Sequence, residues 1–175
     1  RRQKTCHSAT FLAWHWPGLG LTSPRLLPGH LLPKAILKKA LLSVIKEKTG
    51  ESWDENILLI GWARRFVPYK RPLSLLENIP ELKKIAEAKG REIKIVFAGP
   101  ASEGDKEGNE LLKEARRIIA DDLKGVAVYL PNYNLELAKL LTSGCDVWLT
   151  TPVVGSEACG TSGMKAALNG VLPLT

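Results

Sequence analysis

Apolar and polar positions change their period several times along this chain. Before Gly50, the residues Leu37, Ala40, Leu41, Val44 and Ile45 recur at i, i+3, i+4, i+7 and i+8, which predicts a core-facing helix. Pro33 suits its first position, where a missing N–H costs nothing. The run Ile57-Leu58-Leu59-Ile60, closed by Gly61, then predicts a buried strand by its length and composition. Four more strand-like runs occupy 93–97, 126–130, 147–149 and 171–174. Helical segments separate them: 72–79 and 81–88, then 109–120, then 135–141, then a segment beginning near Ser162. In the third of these, Leu111, Leu112, Ala115, Ile118 and Ile119 share one face. Strand and helix alternate without an internal repeat or a low-complexity tract. The expected fold is therefore α/β, a Rossmann-like parallel sheet with right-handed crossovers and helices on both faces.

The first 29 residues follow no such pattern. A basic start, Arg1-Arg2-Gln3-Lys4, precedes Phe11-Leu12-Ala13-Trp14, but His15 and Pro17 interrupt the apolar run and no small-residue cleavage site follows. Residues 1–29 read as an irregular extension of unknown role, and 30–175 as an incomplete Rossmann-like lobe. With no initiator Met, the chain reads as a fragment or a processed product.

Composition narrows the function. The chain has 175 residues, enough for one domain or one lobe of a larger enzyme, and 45% hydrophobic content. No run approaches the roughly 20 apolar residues of a spanning helix. The net charge of +7 suggests nucleic acid until it is placed along the chain. Residues 1–50 hold nine Lys/Arg and one acid, while 51–175 hold 16 Lys/Arg and 17 acids. The body is neutral, which argues against nucleic-acid binding. Cys6, Cys145 and Cys159 have no metal-type spacing and are too few for a disulfide framework, pointing to a reducing, cytoplasmic setting. His7, His15 and His30 all lie in the first 30 positions, so 31–175 cannot build a histidine-activated nucleophile.

A parallel sheet presents its ligands to the loops that leave the carboxyl ends of its strands. Two such loops are chemically unusual. The first, Arg64-Arg65-Phe66-Val67-Pro68-Tyr69-Lys70-Arg71, holds four cations and no acid. It reads either as a solvated basic turn or, given its place, as an anion site in which Arg offers a fork and Lys a point charge. The second runs from Thr151 to Lys165, through Gly155, Glu157, Cys159, Gly160, Thr161, Ser162 and Gly163. Thr161 or Ser162 could cap the following helix, whose first N–H groups suit a second anion. A P-loop is excluded by the spacing around Lys165. Lys165 is expected in the first helical turn, where the dipole disfavours a cation; it either points to solvent or has a task such as a Schiff base. Cys159 reads as a small packing residue rather than a nucleophile.

At these loops the chain resembles a known family. The run 64–71 and the run Glu157-Ala158-Cys159-Gly160-Thr161-Ser162-Gly163-Met164-Lys165, followed by Asn169-Gly170, look like the α-glucan (glycogen, starch, maltodextrin) phosphorylases, in their shorter bacterial and archaeal branch. Tyr129-Leu130-Pro131-Asn132-Tyr133 and Asp146-Val147-Trp148-Leu149 match as well, and the resemblance runs in register from about His30 to Gly170. It implies a two-lobed glycosyltransferase of the B type (GT-B), of which this chain is most of the second lobe. It implies pyridoxal 5'-phosphate held as a Schiff base on Lys165, with Arg64, Tyr133, Thr161 and Ser162 around the cofactor. Arg65 and Lys70 match residues that hold the substrate phosphate. Glu157 and the backbone near Cys159 and Gly160 match contacts to glucosyl hydroxyls.

The implied reaction is retaining phosphorolysis of an α-1,4-glucan to glucose-1-phosphate, in which the cofactor phosphate exchanges a proton with orthophosphate. The implied partners are orthophosphate, the glucan and an N-terminal lobe, without nucleic acid or membrane; the resemblance leaves room for a homo-oligomer. The family usually carries Ser at Cys159, Asn at Thr150, and Gly-Lys-Ala where this chain has Gly99-Pro100-Ala101. Two alternatives stay open: a sugar-nucleotide-dependent glucosyltransferase of the same fold, and a non-catalytic fragment. The first typically carries a second Glu eight positions after the first, where this chain has Lys165.

Overall fold

The computed structural model describes residues 34–88, 90 and 92–175. The extension over 1–29 and the expected role of Pro33 lie outside them. Within them the order is α1 (Lys34–Thr49), β1 (Leu58–Ala63), α2 (Ile79–Ala86), β2 (Ile93–Ala98), α3 (Lys106–Asp121), β3 (Ala127–Leu130), α4 (Leu135–Gly144), β4 (Val147–Leu149), α5 (Thr161–Leu168) and β5 (Leu172–Leu174). All five strand positions expected from the apolar runs are strands.

Where a helix is expected over 72–79 there is only a 3-10 turn, Ser74–Leu76, preceded by another at Pro68–Lys70 and followed by α2. Pro80 explains the change. Proline has no N–H to give and clashes with the preceding turn, so it is tolerated only at a helix start. That start is marked by Asn78, whose side chain accepts the Glu81 N–H. The helix expected from 109 begins earlier, at Lys106, because the Asp105 side chain caps it by accepting the Gly108 N–H at 2.9 Å.

The sheet is wholly parallel, in the order β3-β2-β1-β4-β5. The chain builds outward from β1 to β3, then returns past β1 to lay down β4 on its other side. Loops leaving β1 and β4 therefore diverge from neighbouring strands, which opens a crevice at the carboxyl edge. β1 pairs with β2 along its whole length, from Leu58 opposite Ile93 to Ala63 opposite Ala98. Its pairing with β4 covers only Ile60 opposite Val147 and Gly61 opposite Trp148.

One face of the sheet is covered by a core of Trp62, Phe66, Ile95 and Phe97 packed with Leu76, Ala86, Ala115, Ile118, Ile119 and Leu123. Elsewhere α1 and α4 pack closely: a Cβ added at Gly144 would stand 2.8 Å from the Leu41 Cβ. The buried face of α1 is rotated from the expected stripe. Leu41 and Ile45 are buried, joined by Leu42 and Lys38, while Leu37, Ala40 and Val44 are half-buried.

A buried lysine requires partners, and Lys38 has them. Its ammonium donates to the Ile57 carbonyl and, at 2.6 Å, to Asp146 Oδ2. The same carboxylate oxygen accepts the Leu59 N–H at 2.8 Å, and the Asp146 N–H donates to the Leu59 carbonyl at 2.8 Å. Lys34 donates to the carbonyls of Ser143 (2.7 Å) and Cys145, supplying donors where α4 runs out of them. Burial pushes the Cys145 thiol up to about 12, so it is inert packing.

Removing the Asp146 charge strands the Lys38 ammonium beside the core. Asp146→Ala is expected to lower unfolding free energy by about 3 kcal/mol, whereas Lys38→Met, which removes the buried cation itself, costs clearly less. Urea unfolding followed by circular dichroism compares the two, and equal losses would contradict this account.

Candidate active site

The β1 strand ends at Ala63, but its ladder runs on: the Arg64 N–H donates to the Ala98 carbonyl at 3.1 Å, and the Phe66 N–H to the Pro100 carbonyl at 2.9 Å. Phe66 turns back into the core, edge-on to Trp62 with ring centroids 5.1 Å apart. With 62 and 66 anchored inside, Arg64 is carried inward and is only 7% exposed, while Arg65 faces out. Gly99 makes room for this. Its φ of +122° lies in the left-handed region, and an added Cβ would sit 1.9 Å from the Arg64 carbonyl oxygen. Tyr129 braces the same point from β3, its hydroxyl donating to the Gly99 carbonyl at 2.8 Å.

The 3-10 turn Pro68–Lys70 brings Lys70 back toward Arg64, with its ammonium 4.9 Å from the Tyr69 ring centroid. The loop after β4 is laid directly onto this turn. Thr151 Oγ1 accepts the Trp62 indole N–H at 3.1 Å and donates to the Lys70 carbonyl at 2.9 Å. The Val153 N–H donates to the Tyr69 carbonyl at 2.7 Å. This lacing delivers Glu157 between the two cations: its Oε1 accepts from Arg64 Nη2 and, at 3.1 Å, from Lys70 Nζ.

The result is an open cleft of about 540 Å³ lined by Arg64, Arg65, Tyr69, Lys70, Tyr133 and Ser156–Cys159, with Thr161 and Ser162 at the head of α5. Arg64 Nη1 and Glu157 Oε2 are both buried without a hydrogen-bond partner. A buried guanidinium N–H is costly to leave unpaired, so the pair marks a place where polar ligand atoms belong. Burial disfavours the charged form of Glu157, but hydrogen bonds from Lys70 and Arg64 outweigh it and hold the carboxyl below the usual carboxylate range. Burial pushes the Tyr133 phenol up, which keeps it a neutral donor.

A family profile described as carbohydrate phosphorylase matches residues 32–175, which includes every element of the sheet and both loops of the cleft. The chain belongs to the carbohydrate phosphorylase family. It is 35% identical over 156 residues to a glycogen phosphorylase of Aquifex aeolicus, covering 79% of this chain and 22% of that protein. It is 42% identical over 123 residues to a maltodextrin phosphorylase of Thermococcus litoralis, covering 70% of this chain and 15% of that protein. With a glycogen phosphorylase of Mycobacterium tuberculosis the identity is 40% over 168 residues, covering 85% of this chain and 19% of that protein. The chain thus spans roughly a fifth of the length of these phosphorylases.

Of the site residues expected by resemblance, Arg64, Arg65, Lys70, Tyr133, Glu157, Cys159, Thr161 and Ser162 all line this cleft. Gly160 stands beside it, where an added Cβ would lie 3.8 Å from Glu157 Oε1 and 3.9 Å from Arg64 Nη2. Lys165 does not line it and is exposed on α5. Four expectations about this region change. Cys159 is exposed at the cleft rather than packed inside, because its loop stands open at the sheet edge. The helix is capped by Gly160 with no side-chain cap, so Thr161 and Ser162 are its first residues rather than its caps. Lys165 falls in the last turn, where the dipole favours a cation, so its position carries no penalty that a function must explain. The basic loop is not acid-free in space, since Glu157 reaches it from a distant part of the chain. Ser162 does have a partner, the Trp148 indole N–H at 3.2 Å, which ties α5 to β4.

The sequence reading gave no role to Trp62, Thr151 or Tyr129. For the two aromatics the signal was present: an indole or phenol in a strand carries a polar end that a buried site must satisfy.

Two measurements check this geometry. Gly99→Ala places a methyl against the Arg64 backbone and is expected to destabilise the chain by about 2–4 kcal/mol, read by chemical denaturation. Because the folded Glu157 titrates below its ordinary value of 4.5, its ion pairs contribute in full above that pH and fade as the pH falls through the lower folded value. Wild type should therefore lose stability below pH 4.5 more steeply than Glu157→Gln; parallel curves would contradict the shared-carboxylate geometry.

Proposed function

We propose that this chain forms the phosphate- and cofactor-binding wall of an α-glucan phosphorylase, a hexosyltransferase that cleaves α-1,4-glucan with orthophosphate to release glucose-1-phosphate. The observation that carries the reading is the convergence of Arg64, Arg65 and Lys70 on one cleft at the strand-order reversal, with the buried Arg64 Nη1 unpaired there. Cations concentrated at a parallel sheet's carboxyl edge suit phosphate, and two phosphates side by side require several of them. Family membership and the phosphorylase names of the relatives support the same substrate class.

The residues present fit pyridoxal phosphate. Arg64 with its orphaned N–H and the leading N–H groups of α5 at Thr161 and Ser162 would hold its phosphate, and Tyr133, which lines the same cleft, would add a donor. Lys165 follows Thr161 by one helical turn on α5 but stands outside the cleft lining, so its amine would have to reach toward the helix N-terminus to meet a cofactor held there. When bound, the cofactor supplies a second phosphate able to exchange a proton with the substrate phosphate. Arg65 and Lys70 orient orthophosphate and stabilise the charge that grows on it as the glycosidic bond lengthens. Glu157 accepts from a sugar hydroxyl, and the backbone near Cys159 and Gly160 lines the sugar's edge. The hydrogen-bonded turns hold the cations in place before the substrate arrives, which lowers the reorganisation the barrier must include.

The cleft is a single open wall, and turnover needs a second wall to exclude water and grip the glucan. The chain is expected to load cofactor without phosphorolysing maltodextrin by itself. Incubation with pyridoxal phosphate, borohydride reduction and peptide mass mapping should place the adduct on Lys165. A folded chain with no adduct there, or one on scattered surface lysines, would overturn the cofactor assignment.

A further inference from the structure

The cations of the cleft already have an anion. Glu157 Oε1 is shared between Arg64 and Lys70, and the carboxylate is delivered from the loop after β4, across the crevice. All three side chains are largely withdrawn from water, at 4%, 11% and 13% exposure for Arg64, Lys70 and Glu157. The arrangement is nonetheless unfinished, because Arg64 Nη1 and Glu157 Oε2 remain buried and unpaired on either side of the shared contact. An ion pair built for stability satisfies both ends of a bidentate match; this one uses one carboxylate oxygen and one guanidinium nitrogen, and leaves the others idle.

A phosphoryl group has what Glu157 lacks. Standing at Arg64, as the cofactor phosphate would, or at Lys70, as orthophosphate would, it offers three terminal oxygens and carries more charge than one carboxylate. Both anions cannot keep the same two cations at hydrogen-bonding distance without bringing like charges together. Gly160 has no side chain to block the exchange, and Glu157 sits in the loop 151–160, which is joined to the rest of the site through Thr151 and Val153 rather than through a regular element.

From this geometry we infer that Glu157 is the resident counter-ion of the cleft, an internal stand-in that an incoming phosphoryl group displaces from Arg64 and Lys70. The inference deepens the proposed function and rests on its phosphate-binding reading. In the empty site the stand-in keeps two buried cations from repelling each other. On displacement, Oε1 is released, and the carboxylate becomes available to a sugar hydroxyl once phosphate is in place. Anion occupancy is thereby coupled to the formation of the hydroxyl acceptor.

The test is calorimetric titration of inorganic phosphate into the full chain and its Glu157→Gln form. A competing carboxylate weakens phosphate, so Glu157→Gln should bind about tenfold tighter, the scale of one charge-assisted hydrogen bond surrendered on binding. A scaffold role predicts the reverse, since losing Glu157 would let Arg64 and Lys70 drift. Unchanged or weaker binding by Glu157→Gln, or no binding by either form, overturns the inference. If Glu157→Gln does not fold, Glu157→Asp keeps the charge but draws it back by one methylene, and it should bind phosphate about threefold tighter than wild type. Cofactor loading of the same samples separates the two readings. Tighter phosphate binding without a Lys165 adduct upholds the counter-ion and removes the cofactor; a Lys165 adduct with unchanged phosphate affinity does the opposite.

Discussion

The short seam between β1 and β4 is the constraint on which the site depends. Only two residues of each strand pair there, yet this is where the strand order reverses and both loops of the cleft begin. Asp146 holds its lower end, exchanging two hydrogen bonds with Leu59 and taking the Lys38 ammonium from α1. One side chain thus joins β1, β4 and α1 just below the crevice. At the upper end, Trp62, Thr151 and Lys70 continue the connection through side chains after the ladder has stopped. A parallel sheet that splays at its switch point gains a crevice and loses backbone bonds; polar side chains at both ends of the seam replace them.

The crevice is built on rigid parts. Arg64 owes its position to the β1–β2 ladder beneath it, to Phe66 anchored beyond it and to Gly99 beside it, and neither Phe66 nor Gly99 lines the cleft. Tyr129 extends this support to the edge of the sheet: its ring packs against Phe66 at 6.2 Å and its hydroxyl holds the Gly99 carbonyl. Glu157 is held differently, by loop contacts and by the charges it neutralises. This contrast suits an anion site. The cations are preorganised, and the group proposed to give way is the one on the less regular segment.

The strands were legible because each is a short apolar run between turn residues, and a parallel sheet covered on both faces requires nothing subtler. Boundaries were less legible where one residue outweighed the periodicity, as Pro80 did at the head of α2 and Asp105 did at the head of α3. The α1 stripe was drawn from apolar positions alone and so left out Lys38. Lys38 is inside since Asp146, more than a hundred positions away, is there to receive it.

The candidate site divides in the same way. The cations of 64–71 and the run from Glu157 to Lys165 were recognisable as residue types at the carboxyl edge of a predicted sheet, since local spacing and strand order are enough to place a loop there. That Glu157 would neutralise two of those cations, that Thr151 would tie the loops together, and that Lys165 would stand in the last turn of its helix outside the cleft were decided only by tertiary structure. Sequence carries the chemistry of each group and its neighbours along the chain. Which charges meet depends on how two distant loops pack across the switch point, and that distance is set by the whole sheet.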